Sequence, residues 1–278
     1  QENITTKSLN LITEGEIPKD CQTLIIFGPT ADISSKEKKI LSSYLESGGN
    51  LLLMTDCLNQ RLENLYDLME DYGVELVDGM LVEGNENYFA QGYANYLVPQ
   101  LESHEITDPL IEANYFVMMP IAQGLEIKAD AEEEEDLQIT PLLMTTEEAF
   151  SKIEGLEASN AEKAQNDITT EEGFAVGAAI TKTQDNDDTQ IVWFTSTYIA
   201  EEQVDALVSG GNINLLTNAM GWLCELEDSI SIHAKAITTN YLTLTAAQTG
   251  RWSLILVGII PSIFLISGFV VWWRRRKR

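Results

Sequence analysis

Residues 253–273, SLILVGIIPSIFLISGFVVWW, run for 21 positions without a charged side chain, and this restricts the chain more than any other feature. At about 1.5 Å of rise per residue the stretch makes a helix of roughly 31 Å, the thickness of a bilayer's hydrocarbon core. It predicts a membrane span at 253–273. Arg274, Arg275, Arg276, Lys277 and Arg278 follow without interruption. Basic flanks stay inside, so this tail, 274–278, predicts a cytoplasmic C-terminus with everything before Ser253 outside the cell membrane. Trp252 at one end, and Trp272 and Trp273 beside Arg274, Arg275 and Arg276 at the other, read as interfacial anchors. Pro261 falls mid-span, where a membrane helix tolerates it if the freed carbonyl finds a donor. Gly258 and Ser262 form a small-xxx-small pair and predict a helix-packing face.

The rest of the chain is strongly acidic. Residues 1–250 hold 11 Lys and Arg against 44 Asp and Glu, a formal charge of −33. Such a surface repels nucleic acid and an anionic membrane at long range, which makes both poor partners of the domain as a whole. Cys21, Cys57 and Cys224 are odd in number and far apart, with no CxxC pair. With His104 and His233 the only histidines, neither a disulfide framework nor a His/Cys metal site is expected. No metal or cofactor is expected. Asn3-Ile4-Thr5 is a formal glycosylation sequon. A domain exported ahead of an inward-facing C-terminus needs a signal or an earlier span, so the chain is expected to be the C-terminal part of a longer protein.

Along the chain, Lys7 to Thr13 alternates apolar and polar residues and predicts a short strand. Thr23 to Phe27 (TLIIF) and Asn50 to Thr55 (NLLLMT) are continuous apolar runs, the pattern of parallel strands covered on both faces. Between them Ser34 or Ser35 caps a helix, Glu37 completes a capping box, and Gly48-Gly49 ends it. Strand, helix and strand make a βαβ unit. A second helix is predicted over 59–72, and 74–82 supplies one more strand or a broken pair. Short strands are expected at 115–120 and 124–127, with a short helix or turn within 99–110. Leu137 to Thr145 is a strand placed near an edge by Pro141. The acidic block 129–136 is a solvated loop, and 154–172 a mobile connection. Phe174 to Thr181 and Gln190 to Thr197 are neighbouring core strands, and 212–226 is a closing amphipathic helix. The expected fold is an α/β sandwich with a mostly parallel, flavodoxin-like sheet. It comprises an extracytoplasmic domain 1–228 with an irregular insertion at about 83–172, a connector 229–252, the span and the tail.

In such a sheet, function collects at the carboxyl ends of the strands. The residues there are Gly28-Pro29-Thr30-Ala31-Asp32, Thr55-Asp56-Cys57 and Thr195-Ser196-Thr197. Thr30, Asp32, Asp56, Thr195 and Ser196 are therefore the candidate ligand-binding residues. Cys57 is the sharpest catalytic candidate, with His104 as the available base. Against it, no G-x-S-x-G or G-x-C-x-G elbow surrounds Cys57, and Asp56 beside it would raise a thiol pKa. Phosphate loops are absent, since no G-K-[ST] occurs.

Three stretches carry a family resemblance. IPKDCQTLIIFGPTADISSKEKKILSSYLESGGNLLLMTD, LENLYDLMEDYGVELVDGMLVEG, and the run from GGNINLLTNAMGWLCELEDSISI through YLTLTAAQTGRWSLILVGIIPS to the arginines resemble auxiliary proteins of ABC transporters related to the gliding-motility component. The resemblance spans most of 7–278 and is weakest over 88–172. It implies an extracytoplasmic domain folded like the class I glutamine amidotransferases, tethered beside an ABC permease, with a separate ATPase subunit and an upstream span and domain. It implies no established catalytic residues. The leading expectation is a non-enzymatic, membrane-anchored auxiliary subunit of an export or gliding-type ABC system. The alternatives are a tethered cysteine hydrolase or amidotransferase-like enzyme using Cys57, and an envelope ligand-binding or sensing module.

Overall fold

The computed structural model describes residues 5–128, 131, 134–157, 160–184, 188–224 and 246–276. The sequon at Asn3, the boundary at 228 and most of the connector 229–252 lie outside them.

The strands in order are β1 Thr23–Phe27, β2 Asn50–Met54, β3 Val74–Leu76, β4 Met80–Val82, β5 Tyr96–Leu97, β6 Gln100–Leu101, β7 Met119–Pro120, β8 Leu125–Ile127, β9 Leu137–Met144, β10 Phe150–Lys152, β11 Ala175–Lys182 and β12 Thr189–Phe194. The helices are α1 Leu11–Glu14, α2 Ser35–Leu45, α3 Glu63–Glu70, α4 Asp108–Glu112, α5 Glu202–Leu207, α6 Gly211–Leu223, α7 Ala246–Ser253 and α8 Ile260–Arg276.

Eight strands form one mixed sheet, ordered β1-β2-β12-β11-β8-β3, with β9 beside β11 and β6 beside β9. At its core β1, β2 and β12 are parallel, with Ile25 opposite Leu52 and Trp193 opposite Leu53. β11 then pairs antiparallel with β12, and the strands beyond it are antiparallel too. The parallel arrangement expected of most of the sheet is thus confined to three strands. β1 lies at the edge, whereas the flavodoxin order 2-1-3-4-5 puts the first strand inside. For the antiparallel part the physical reason is the short connection between β11 and β12: neighbouring strands joined by so few residues must run antiparallel.

Alternation along β2 and β12 sends side chains to two cores. Leu51, Leu53, Ile191 and Trp193 meet Leu41, Leu65 and Tyr66 of α2 and α3 on one face. Leu52, Met54, Val192 and Phe194 meet Leu215, Ala219 and Leu223 of α6 on the other. All five residues of β2 are buried, each large side chain contributing about 1.5–3 kcal/mol. This double cover is what the unbroken apolar run of β2 implies; the similar run of β1 is covered on one face only, with Ile25 and Phe27 exposed at the sheet edge.

Local signals act as read at α2, where Ser34 and Glu37 form the capping box. At the N-terminus a competing signal wins. The expected strand over 7–13 is instead α1, because the Asn10 side chain accepts from the amides of Ile12 and Thr13. Over 74–82 the broken pair appears: β3 joins the main sheet and β4 pairs with β10. Pro141 sits on β9, most of whose outer side is unpaired since β6 reaches only Leu143 and Met144. The stretch 83–172 contributes β6, β8 and β9 to the main sheet.

The C-terminal residues form one helix long and apolar enough to cross a membrane, Gly250–Arg276, 27 residues with none buried. Leu254–Ile259 is π-helical, so the irregularity lies one turn before Pro261, where the proline ring would otherwise strike a carbonyl. The Ser262 hydroxyl donates to the Gly258 carbonyl at 2.7 Å, joining the two small residues within the same helix.

Candidate functional site

The strand ends converge as topology requires, but their polar atoms are engaged with one another. The Asp56 carboxylate accepts from the Thr197 amide at 2.8 Å and from its hydroxyl at 2.8–2.9 Å, clasping the ends of β2 and β12. Gly28, with φ of 55°, lies against this clasp, and a Cβ there would stand 3.2 Å from the Thr197 methyl. Asp32 accepts from Asn64 and Leu65 amides, from the Asn64 side chain and from Ile33. It thereby caps α3, whose own preceding residue Leu62 supplies no side-chain cap. The Thr30 carbonyl accepts from the Gln60 amide. Thr195 donates to Gln123 and Ser196 to Pro120, and both side chains are buried. Of the five candidate ligand-binding residues, Asp32, Asp56, Thr195 and Ser196 are thus structural links.

Cys57 and His104 do not meet. Cys57 follows β2 at its carboxyl end, buried, with its thiol 3.8 Å from the Gly79 carbonyl. His104 packs edge-on to Trp222 at 5.2 Å. The neighbouring Leu223 carbonyl accepts from Thr23 and Asn50, the first residues of β1 and β2. Cys57 thus lies at the carboxyl ends of the strands and His104 packs on the helix end that meets their amino ends. Burial, and then the Asp56 charge, push the Cys57 thiol up to about 11, while burial pulls His104 down. The His104 Nδ1 is occupied as an acceptor from the Ile106 amide. Starting from an ordinary thiol value of 9.0, the native Cys57 thiolate population at pH 8 is about a hundredfold smaller. Iodoacetamide should accordingly label Cys57 about a hundredfold more slowly in the folded chain than in the denatured one, with mass spectrometry as the readout. Comparable rates in the two states would contradict the buried, protonated thiol.

The sequence reading missed a buried ion pair. Lys152, at the end of β10, lies 3.7 Å from Asp167, with their side chains 3% and 1% exposed. The lysine also donates to the Glu162 carbonyl, and Asp167 accepts from the amides of Ile153 and Ala164. Ile168 bridges back to Ser151. The stretch expected to be a mobile connection is thus tied down between Glu162 and Ile168. Polar composition suggested mobility, and no local pattern announces a partner fifteen residues away. A Cβ built on Gly155, in the same stretch, would stand 4.0 Å from the Cys57 sulfur. Glu83 is also buried, with Thr146 and Asn85 as donors. Among the described residues, no group of three or more His, Cys, Asp or Glu is placed to hold a metal ion.

A doubly covered mixed α/β sheet whose strand-end groups are joined internally, together with one apolar helix of bilayer length, defines a class: an α/β domain carrying a candidate membrane anchor. The chain belongs to the family described as an ABC-type uncharacterized transport system, whose model matches residues 1–219. Membership in that family points to a role in an ABC transport system. A search of curated proteins found no match. Among solved structures, the mmIFT52 N-terminal domain is similar at 16% identity and a TM-score of 0.52, over 73% of this chain and 77% of that one. At that identity the likeness concerns the fold alone. A putative ThuA-like protein from Bacteroides uniformis aligns at 11% identity and a TM-score of 0.36, over 73% of this chain and 69% of that one.

Proposed function

We propose that the chain is a non-enzymatic, membrane-anchored auxiliary subunit of an ABC export or gliding-type system. Its helix Gly250–Arg276 docks in the bilayer beside the permease, and its acidic α/β domain binds a partner or cargo on the extracytoplasmic side. ATP is hydrolysed by a separate subunit. The observation that carries this reading is the family match over 1–219 in a chain that also ends in a 27-residue apolar helix. The basic run beginning at Arg274 supports the orientation, with the C-terminus in the cytoplasm. A hydrolase centred on Cys57 draws no support from the geometry, since its thiol is buried and His104 lies at the far end of the strands.

The test is photo-crosslinking from residues substituted at Gly258 and Ser262 in native membranes, followed by affinity purification and mass spectrometry. A multi-span permease and its ATPase are expected in the crosslinked fraction, and more weakly from Phe264. Recovery of neither, from any of the three positions, would sink the proposal.

A further inference from the structure

Ten lysines and arginines lie in the described part of the α/β domain, among a large excess of carboxylates. Six are ion-paired: Lys7 with Asp20, Lys38 with Asp67, Arg61 and Lys128 with Glu70, Lys152 with Asp167, and Lys182 with Glu134. Among the described residues, Lys19, Lys36, Lys39 and Lys163 have no carboxylate within 4.0 Å. Three of these four line a single cleft of about 630 Å³ between the loop 15–21 and α2.

The neighbouring acids are held elsewhere. Asp20, next to Lys19, is taken by Lys7 at 2.8 Å. Glu37, next to Lys36, is committed to the amide and hydroxyl of Ser34. Lys38 faces away toward α3, where Asp67 pairs with it at 3.3 Å. Glu16 also borders the cleft yet stays outside pairing distance of all three lysines. In a chain with 44 Asp and Glu, three lysines without a carboxylate partner therefore line one cleft. An anion bound there would supply the counter-charge that these side chains lack.

The rest of the cleft is suited to a small molecule. Its volume falls within the range of ordinary ligand pockets, and Ile17 and Ile40 give it apolar walls. Tyr44 also lines it, fixed by hydrogen bonds to Gln22 and Asn50 and by Gly49, where a Cβ would come within 2.4 Å of the ring. Ammonium groups act as point charges suited to phosphate, whereas a planar carboxylate is matched better by the arginine fork.

We infer that the Lys19–Lys36–Lys39 cleft binds the phosphate group of a small organic anion, supplied either free in solution or as the headgroup of an anionic lipid. The domain's net negative field opposes long-range capture, so binding depends on contact with these three side chains.

The experiment is acetylation footprinting of the full chain in nanodiscs, with the rates at Lys19, Lys36 and Lys39 each divided by that at Lys163. One arm uses phosphatidylcholine discs titrated with soluble glycerol phosphate. The other uses discs containing phosphatidylglycerol and no soluble phosphate. At a ligand level twice its dissociation constant, the ratios should fall about threefold. A fall in the first arm identifies a free phosphate, and a fall in the second alone identifies a lipid headgroup. In either case Lys39→Gln should raise the half-protecting concentration read at Lys36 about tenfold, the effect of one lost charged hydrogen bond. Ratios unchanged in both arms, or protection of Lys36 that Lys39→Gln leaves intact, would overturn the inference.

Discussion

Substituting Ile263 and Phe264 together by arginine is expected to move the chain from the carbonate-resistant membrane pellet into the extractable or aggregated fraction. Both residues lie near the middle of Gly250–Arg276 and are exposed, at 58% and 71%. Each arginine at a span's centre costs about 2.5–3.5 kcal/mol on the insertion scale, so the pair removes about 5–7 kcal/mol. Every 1.4 kcal/mol is about tenfold, so partitioning should shift by more than about a thousandfold. Ile213 on α6 is also exposed, at 45%, but belongs to the α/β domain; Ile213→Arg should leave the pellet fraction unchanged. A double variant that still resists carbonate extraction would show that the helix is not the anchor.

Asp167→Ala is expected to destabilise the α/β domain by about 3–5 kcal/mol, the usual effect of leaving one member of a buried ion pair without its partner. Three losses combine. The Lys152 ammonium remains buried with only the Glu162 carbonyl, and the amides of Ile153 and Ala164 lose their acceptor. Lys152→Met should cost distinctly less, because Asp167 keeps both backbone donors and the methionine fills the lysine's volume. The same geometry sets a pH dependence. Burial alone would raise the Asp167 pKa, but the Ala164 and Ile153 amides and the Lys152 charge outweigh it, so the folded value lies below the ordinary 3.8. A depressed carboxylate contributes fully above the unfolded value, and its contribution is lost as pH falls below about 4 toward the folded value. Urea melts of the three chains at pH 7 and pH 3 provide the measurement. Equal midpoints for Asp167→Ala and the parent at pH 7 would contradict a structural role for the pair.

Much of the fold was legible because its signals are local. β1, β2, α2, β11, β12 and α6 each announce themselves through an apolar run, a capping box or helical spacing, all read within a dozen residues. Lys7 to Thr13 was misread because alternation there is outweighed by the Asn10 cap, a contest between two local signals of similar size. Among candidate site residues, proximity of the strand ends followed from topology. The engagement of Asp32 with α3, of Asp56 with Thr197 and of Ser196 with Pro120 did not, since each partner is distant in sequence. The lysines of SSKEKKI were in plain view at 34–40, yet only the helix face distinguishes Lys36 and Lys39 from the paired Lys38.

By itself the sequence determined the apolar helix at the C-terminus, the acidic character of the domain and the double cover of β2. These depend on the number and periodicity of apolar and charged residues, which no folding event changes. Only the tertiary structure decided the place of β1 at the sheet edge, the antiparallel half of the sheet, the Lys152–Asp167 tie and the separation of Cys57 from His104. Those depend on pairings between residues tens of positions apart. Many alternative closures satisfy the same local pattern, and the packing of the whole domain selects among them.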